Sequence, residues 1–103
     1  METVVTNAPS SGKVIVNASG YVRFSSAGND GGRCSITAGT AIDFAHLIIF
    51  EDDGASVMTY ASFAGTRGFN VSSGNTTFRL VCDRFTGSIS IGDPNMTAIF
   101  TKN

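Results

Sequence analysis

The sequence predicts an all-β fold, a single antiparallel β-sandwich that spans residues 1–103. Short runs of alternating apolar and polar residues recur along the chain, each bounded by Gly, Asn, Asp or Ser, which is typical of strands separated by turns. Apolar residues at helical spacing occur only weakly, over residues 41–49, so helix is at most a minor element. A chain of 103 residues has the length of one compact domain.

Alternation of apolar and polar residues appears at four places within the first 60 residues. The alternating runs predict strands at residues 13–16, 21–25, 33–37 and 56–60. Two further segments, 27–32 and 61–68, are rich in Gly and other small residues. Because Gly weakens the interior of a strand, we expect both segments to be loops.

Residues 46–60 predict a β-hairpin with an acidic tip. The tip is Glu51-Asp52-Asp53-Gly54, and Asp-Gly suits a turn that needs positive φ. The preceding run 47–50 contains no polar residue. Such a run predicts a strand covered on both faces, by a sheet on one side and by another subunit on the other.

The last third of the chain predicts an antiparallel meander. Residues 76–84 and 96–101 alternate as strands do, and the shorter segment 88–91 lies between them, before turn residues 92–95. A second hairpin is expected with its tip at residues 72–75.

Charge is sparse along the chain and evenly distributed. Charged residues make up 15% of the sequence and the net charge is −1, whereas soluble domains average about 25% charged residues. The seven basic residues form no cluster, which disfavours nucleic-acid binding. The longest apolar run is too short to cross a bilayer, and the N-terminus does not resemble a signal segment. We therefore expect a location in a virion or in the cytoplasm.

Two cysteines, Cys34 and Cys82, each lie in strand-like sequence without metal-ligand spacing around them. Two free thiols, as in a protein made in a reducing cytoplasm, are the favoured interpretation. A disulfide across the sandwich is the alternative, which requires Cα atoms within about 7 Å.

The sequence contains no catalytic or metal-binding motif. His46 is the only imidazole, Asp43 precedes it by three residues, and no Ser lies in a Gly-x-Ser-x-Gly elbow. A hydrogen-bonded strand histidine is favoured over a general base, so we expect no enzyme. The acidic tip lacks the spacing of a calcium loop, and a solvated turn is favoured over a Ca²⁺ site. We expect no metal and no cofactor.

The C-terminal part carries a resemblance to a known superfamily. It lies in Val71-Ser-Ser-Gly-Asn-Thr-Thr-Phe-Arg-Leu-Val-Cys, followed by Thr86-Gly87 and Asn95-Met-Thr-Ala-Ile-Phe-Thr-Lys. These segments resemble the final strands of jelly-roll modules of the complement globular-head and tumour-necrosis-factor type, which are found also in bacterial and phage proteins. The resemblance implies a jelly-roll fold that acts by binding and assembly, as a homotrimer whose loops meet a partner.

Together these features predict a non-enzymatic structural or recognition module that assembles with copies of itself. A phage or viral surface component, such as a capsid decoration protein or a fibre tip, suits this composition. The expected oligomer interface consists of Leu47, Ile48, Ile49, Phe50 and Ile99. The alternative is a small carbohydrate-binding lectin that recognises a surface glycan through Asn29, Asp30, Asp52, Asp53, Tyr21 and Tyr60. In a lectin, replacing Asp30 or Asp53 is expected to abolish binding at little cost in stability.

Overall fold

The computed structural model describes residues 2–25, 29–52 and 58–102, and this part of the chain forms seven strands and no helix. The strands are β1 (Glu2–Ala8), β2 (Gly12–Phe24), β3 (Asp30–Thr37), β4 (Ile48–Asp52), β5 (Thr59–Val71), β6 (Gly74–Thr86) and β7 (Ile89–Lys102). One sheet has the order β1-β6-β3-β4 and the other β5-β2-β7, with antiparallel pairing throughout. The predicted all-β sandwich is confirmed, although the sequence did not predict β1.

Most connections lead from one sheet to the other. Only β3 and β4 are consecutive strands that pair with each other. The predicted hairpins are therefore wrong, because β4 and β5, and likewise β5 and β6, lie in different sheets. The predicted meander is wrong for the same reason, since β6 and β7 lie in different sheets. Turn residues indicate where the chain reverses, but they do not distinguish a hairpin from an arch between sheets.

Three segments predicted as loops or turns lie within strands. Residues 61–68 belong to β5, residues 92–95 to β7 and residues 30–32 to β3, while 27 and 28 are outside the described residues. Small side chains are needed here for packing between the sheets. A Cβ on Gly65 would lie 2.5 Å from Cδ1 of Ile48, and one on Gly32 would overlap Cδ1 of Ile89, in the other sheet. Glycine in these segments therefore does not interrupt the strands, because it lets side chains of other strands approach the backbone closely.

Alternate residues of the central strand β2 build the core. Val14, Val16, Ala18, Val22 and Phe24 are buried against Cys34, Ile36, Phe50, Phe63, Phe78 and Leu80. On β4 the same alternation directs Phe50 inward, and half-buried Ile48 packs against the core. Ile49 points outward and is 60% exposed. The predicted interface residues Ile48 and Phe50 thus belong to the core, half-buried Leu47 precedes the strand, and Ile49 is the outward position.

The two cysteines form a disulfide, so the expectation of two free thiols is wrong. Cys34 on β3 and Cys82 on β6 are directly opposite in the strand register, with Cα atoms 4.0 Å apart. The bond joins neighbouring strands of one sheet and does not cross the sandwich. Local sequence does not show strand register, and for this reason the pairing was not predicted.

The molecule is narrow and long, with extents of 51 × 21 × 17 Å. Strands β2, β5 and β6 have 13 residues each and β7 has 14, and a residue advances the strand by about 3.3 Å. The radius of gyration is 15.3 Å, above the roughly 13 Å of a compact domain of this size. Much of the surface is consequently the outer face of one sheet or the other.

Candidate functional site

An aromatic cluster surrounds Arg33 on the outer face of the four-stranded sheet. Arg33 lies between Ile49 of β4 and Asp83 of β6 in the strand register, and its Nε donates a hydrogen bond to Asp83 Oδ1 at 2.8 Å. Its guanidinium carbon is 4.6 Å from the ring centroid of Phe44 and 5.8 Å from that of Phe85. Both rings are exposed, Phe44 by 66%. We call Arg33, Phe44, Ile49 and Phe85 the Arg33 patch.

The connection between β3 and β4 brings Phe44 to this patch, and Asp43 fixes that connection. The Asp43 backbone N–H donates to Ser35 Oγ at 3.0 Å, which holds the connection against β3. The Ala45 N–H donates to Asp43 Oδ1, and Arg67 Nη1 lies 2.9 Å from Asp43 Oδ2. The Ala45 N–H, and after it the Arg67 guanidinium, lower the pKa of the Asp43 carboxyl below its ordinary value. Phe44 is thereby held between two anchored residues.

Arg67, which belongs to β5, also connects the two sheets at the place where the pairing of β3 with β4 ends. Its Nη1 donates to the carbonyl oxygen of Ile36 at 2.8 Å. Ile36 lies beyond Cys34, the residue at which the pairing of β3 with β4 ends. The guanidinium thus satisfies a backbone acceptor of β3 that no residue of β4 reaches.

His46 lies at a cleft of about 360 Å³ beside Arg67, lined by Ile36, His46, Leu47, Ile48, Ala64, Gly65, Thr66 and Arg67. The His46 backbone N–H donates to the Asp43 carbonyl oxygen at 3.1 Å. No Ser or Cys is among the described residues that line this cleft. The described lining thus combines an arginine and an exposed imidazole, with the Thr66 hydroxyl as its one alcohol group.

Asp30, expected to accept hydrogen bonds from a sugar, faces inward instead. It is only 2% exposed, and its carboxylate accepts bonds from the Ser88 N–H at 2.7 Å and the Ser25 hydroxyl at 2.9 Å. The Ser88 N–H, with help from Ser25, lowers the pKa of the Asp30 carboxyl. Gly87 has a φ of 68°, and a Cβ there would overlap Asp30. Asp30 is thus a structural residue that joins the start of β3 to the β6–β7 turn.

The other predicted sugar contacts lie in different environments. Asn29 is exposed next to Asp30, and Asp53 lies outside the described residues. Half-buried Asp52 accepts a hydrogen bond from the Thr59 hydroxyl at 3.4 Å. Tyr21 and Tyr60 are exposed, with ring centroids 5.8 Å apart. Of these residues, only the two tyrosines form a pair of exposed side chains in contact.

The predicted interface residue Ile99 lies on the outer face of the three-stranded sheet. It is 59% exposed and pairs with exposed Ile15 of β2. Ile49 and Ile99 are thus equally exposed isoleucines on opposite faces of the sandwich. Arg33, Phe44 and Phe85 were not predicted as site residues, because they are distant in sequence and meet only through strand register and the anchored connection.

Comparisons with models of protein families, with curated proteins and with solved structures find no match for this chain. Within residues 2–25, 29–52 and 58–102, no three His, Cys, Asp or Glu side chains are grouped so that they could hold a metal ion. The same part of the chain has no helix suited to crossing a membrane.

Proposed function

We propose that this protein is a non-enzymatic structural module that assembles with copies of itself through the Arg33 patch. The observation that carries the proposal is the exposed cluster of two phenylalanines and an isoleucine around an arginine on the outer face of the four-stranded sheet. Aromatic residues and Arg are enriched at the centres of protein interfaces. Apolar patches of this kind on a soluble protein commonly mark a binding surface.

Burial of the patch supplies a favourable free energy of association. Complete burial of a Phe or Ile side chain contributes about 1.5–3 kcal/mol, and Phe44, Phe85 and Ile49 are each about half exposed in the single chain. Each would thus contribute roughly 1–2 kcal/mol in the assembly. The Asp43 anchors hold Phe44 in place before association, which reduces the entropy lost on binding.

We further propose that the sandwich has jelly-roll topology and that three copies of the chain form the assembly. The two-sheet architecture, in which every pair of consecutive strands except β3 and β4 lies in opposite sheets, is compatible with a jelly roll. The resemblance of the C-terminal segments supports three copies.

For the setting, we propose a phage or viral surface component such as a capsid decoration protein or a fibre tip. The long, narrow shape favours a projecting or surface-lying element. The Cys34–Cys82 disulfide favours a protein that works in an oxidising exterior.

Two matched substitutions test the proposed interface. Ile49→Lys places a charge beside Arg33 at the centre of the patch, and Ile99→Lys makes the same change at an equally exposed isoleucine on the other sheet. We expect Ile49→Lys to yield monomers in light scattering while Ile99→Lys keeps the mass of the wild type. Both variants should melt like a wild-type single chain, because neither side chain is in the core. Assembly that survives Ile49→Lys and is lost in Ile99→Lys would assign the interface to the three-stranded sheet and overturn the proposal.

A small carbohydrate-binding lectin is the second candidate function. The observation that favours it is the exposed Tyr21–Tyr60 pair on the three-stranded sheet. Tyrosine offers an apolar ring face and a polar hydroxyl, and both suit contact with a sugar.

A further inference from the structure

A groove runs along β2 on the outer face of the three-stranded sheet. It consists of two clefts of about 620 and 220 Å³ that share Ser19, Ala64 and Asn95. The larger cleft reaches Tyr21 and the smaller one reaches Asn17. Because the two clefts share these three residues, they form one continuous groove.

A β-bulge places an acidic side chain in this groove. Ser19 of β2 pairs with Asn95, but Tyr21 pairs with Gly92, so that Asp93 and Pro94 of β7 lie opposite a single residue of β2. Asp93 has a φ of 49° and is the one residue other than glycine with positive φ in the described part of the chain. Bulges commonly redirect a side chain next to a functional site, and left-handed backbone at a residue with a Cβ costs free energy. The Asp93 carboxylate lines the larger cleft.

An aromatic surface borders the same cleft. The Tyr21 ring lies across Gly92, where a Cβ would overlap it, so one ring face rests on the backbone while the residue remains exposed. Exposed Tyr60 stands beside it, with the two ring planes 58° apart. A side chain at position 92 would therefore displace the Tyr21 ring from this position.

We infer that this groove binds a neutral oligosaccharide. One sugar ring would pack its C–H face on Tyr21, and the side chains of Asp93 and Asn95 would form hydrogen bonds with its hydroxyl groups. The ligand class follows from the combination of an aromatic face with convergent polar groups, which is how small-ligand sites fix orientation. Asp93 disfavours an acidic sugar, and no Lys or Arg is among the residues that line the two clefts.

The length of the groove sets the size of the ligand. From Tyr21 to Asn17 is four residues of extended strand, or about 13 Å, which accommodates roughly two or three pyranose rings. The inference rests on the second candidate function and is independent of assembly through the Arg33 patch, which lies on the opposite face.

The test starts from the wild-type protein on an array of neutral and acidic glycans, followed by calorimetric titration of a bound glycan. Asp93→Gly removes the carboxylate and installs the residue that best tolerates positive φ, so the fold should be retained or stabilised. We expect Asp93→Gly and Tyr21→Ala each to weaken binding at least tenfold. Ile99→Lys, on the same strand but outside the groove, should bind like the wild type.

Each outcome has a distinct meaning. A wild-type array without any signal overturns both the lectin function and the groove. Glycan binding that persists in Asp93→Gly and Tyr21→Ala overturns the groove but leaves a lectin with another site. Binding to acidic glycans alone overturns the ligand class. Loss of assembly in Ile49→Lys with glycan binding retained would show that the two surfaces work separately.

Discussion

Reduction of the Cys34–Cys82 disulfide should remove a large part of the stability of this protein. The bond joins residues that are 48 positions apart and pairs β3 with β6, the two central strands of the four-stranded sheet. On the chain-entropy model, closing a loop of this length in the unfolded state stabilises the fold by about 4 kcal/mol. A domain of this size has a total stability of roughly 5–15 kcal/mol. We expect the melting temperature to fall by roughly 15–30 °C after reduction.

Calorimetry or circular dichroism on oxidised and reduced protein measures this difference. Cys34 is completely buried, so reduction should be carried out in denaturant and followed by refolding in the presence of the reductant. The double variant Cys34→Ala/Cys82→Ala is the control, because the reductant should not shift its melting temperature. Oxidised and reduced forms that melt within about 3 °C of each other would refute the argument that the bond restrains the unfolded chain.

Two further predictions concern residues that the fold holds in place. Hydrogen bonds from Ser88 and Ser25 lower the pKa of Asp30 in the folded state. The ionised carboxylate therefore stabilises the folded protein at pH values above the ordinary pKa of 3.8. This stabilisation is lost as the pH falls through the lower pKa of the folded state. Melting curves of Asp30→Asn should therefore depend less steeply on pH in the acid range than those of the wild type, and parallel curves would contradict this role. Gly65→Ala should destabilise the protein by about 1–3 kcal/mol in chemical denaturation, since its Cβ would lie 2.5 Å from Ile48 Cδ1. Gly68→Ala on the same strand is the matched control, with its nearest atom at 3.7 Å from the new Cβ, and equal losses in the two variants would contradict the packing argument.

Parts of most strands could be predicted from the sequence, but β1, the full lengths of β3, β5 and β7, and the pairing of the strands could not. The alternation that places Val14, Val16 and Ala18 inward is a local property of β2, and it is visible in the order of residues. The choice of partner strand depends on contacts between distant segments. Residues 61–68 show the difference, because their small side chains are needed for the approach of Ile48 to Gly65, a contact that local composition does not reveal.

The candidate sites were predictable only in part. Tyr21 and Tyr60 are exposed, as expected of Tyr, which commonly keeps its polar tip in water, and their role as contact residues stays a prediction. The glycine-rich segment around Asp30 predicts an exposed loop carboxylate, but the fold turns this carboxylate towards Ser88. The groove beside Asp93 depends on a register shift between β2 and β7, and the sequence around Pro94 indicated only a turn.

The molar mass in solution is the most direct test of the proposed self-assembly. Light scattering on the oxidised wild-type chain, over a concentration series that reaches tens of micromolar, should give three times the 10.7 kDa of the chain. Dilution should shift the mass towards the monomer as the Arg33 patch becomes exposed. A mass of 10.7 kDa throughout the series would contradict self-assembly and remove the function proposed for the patch.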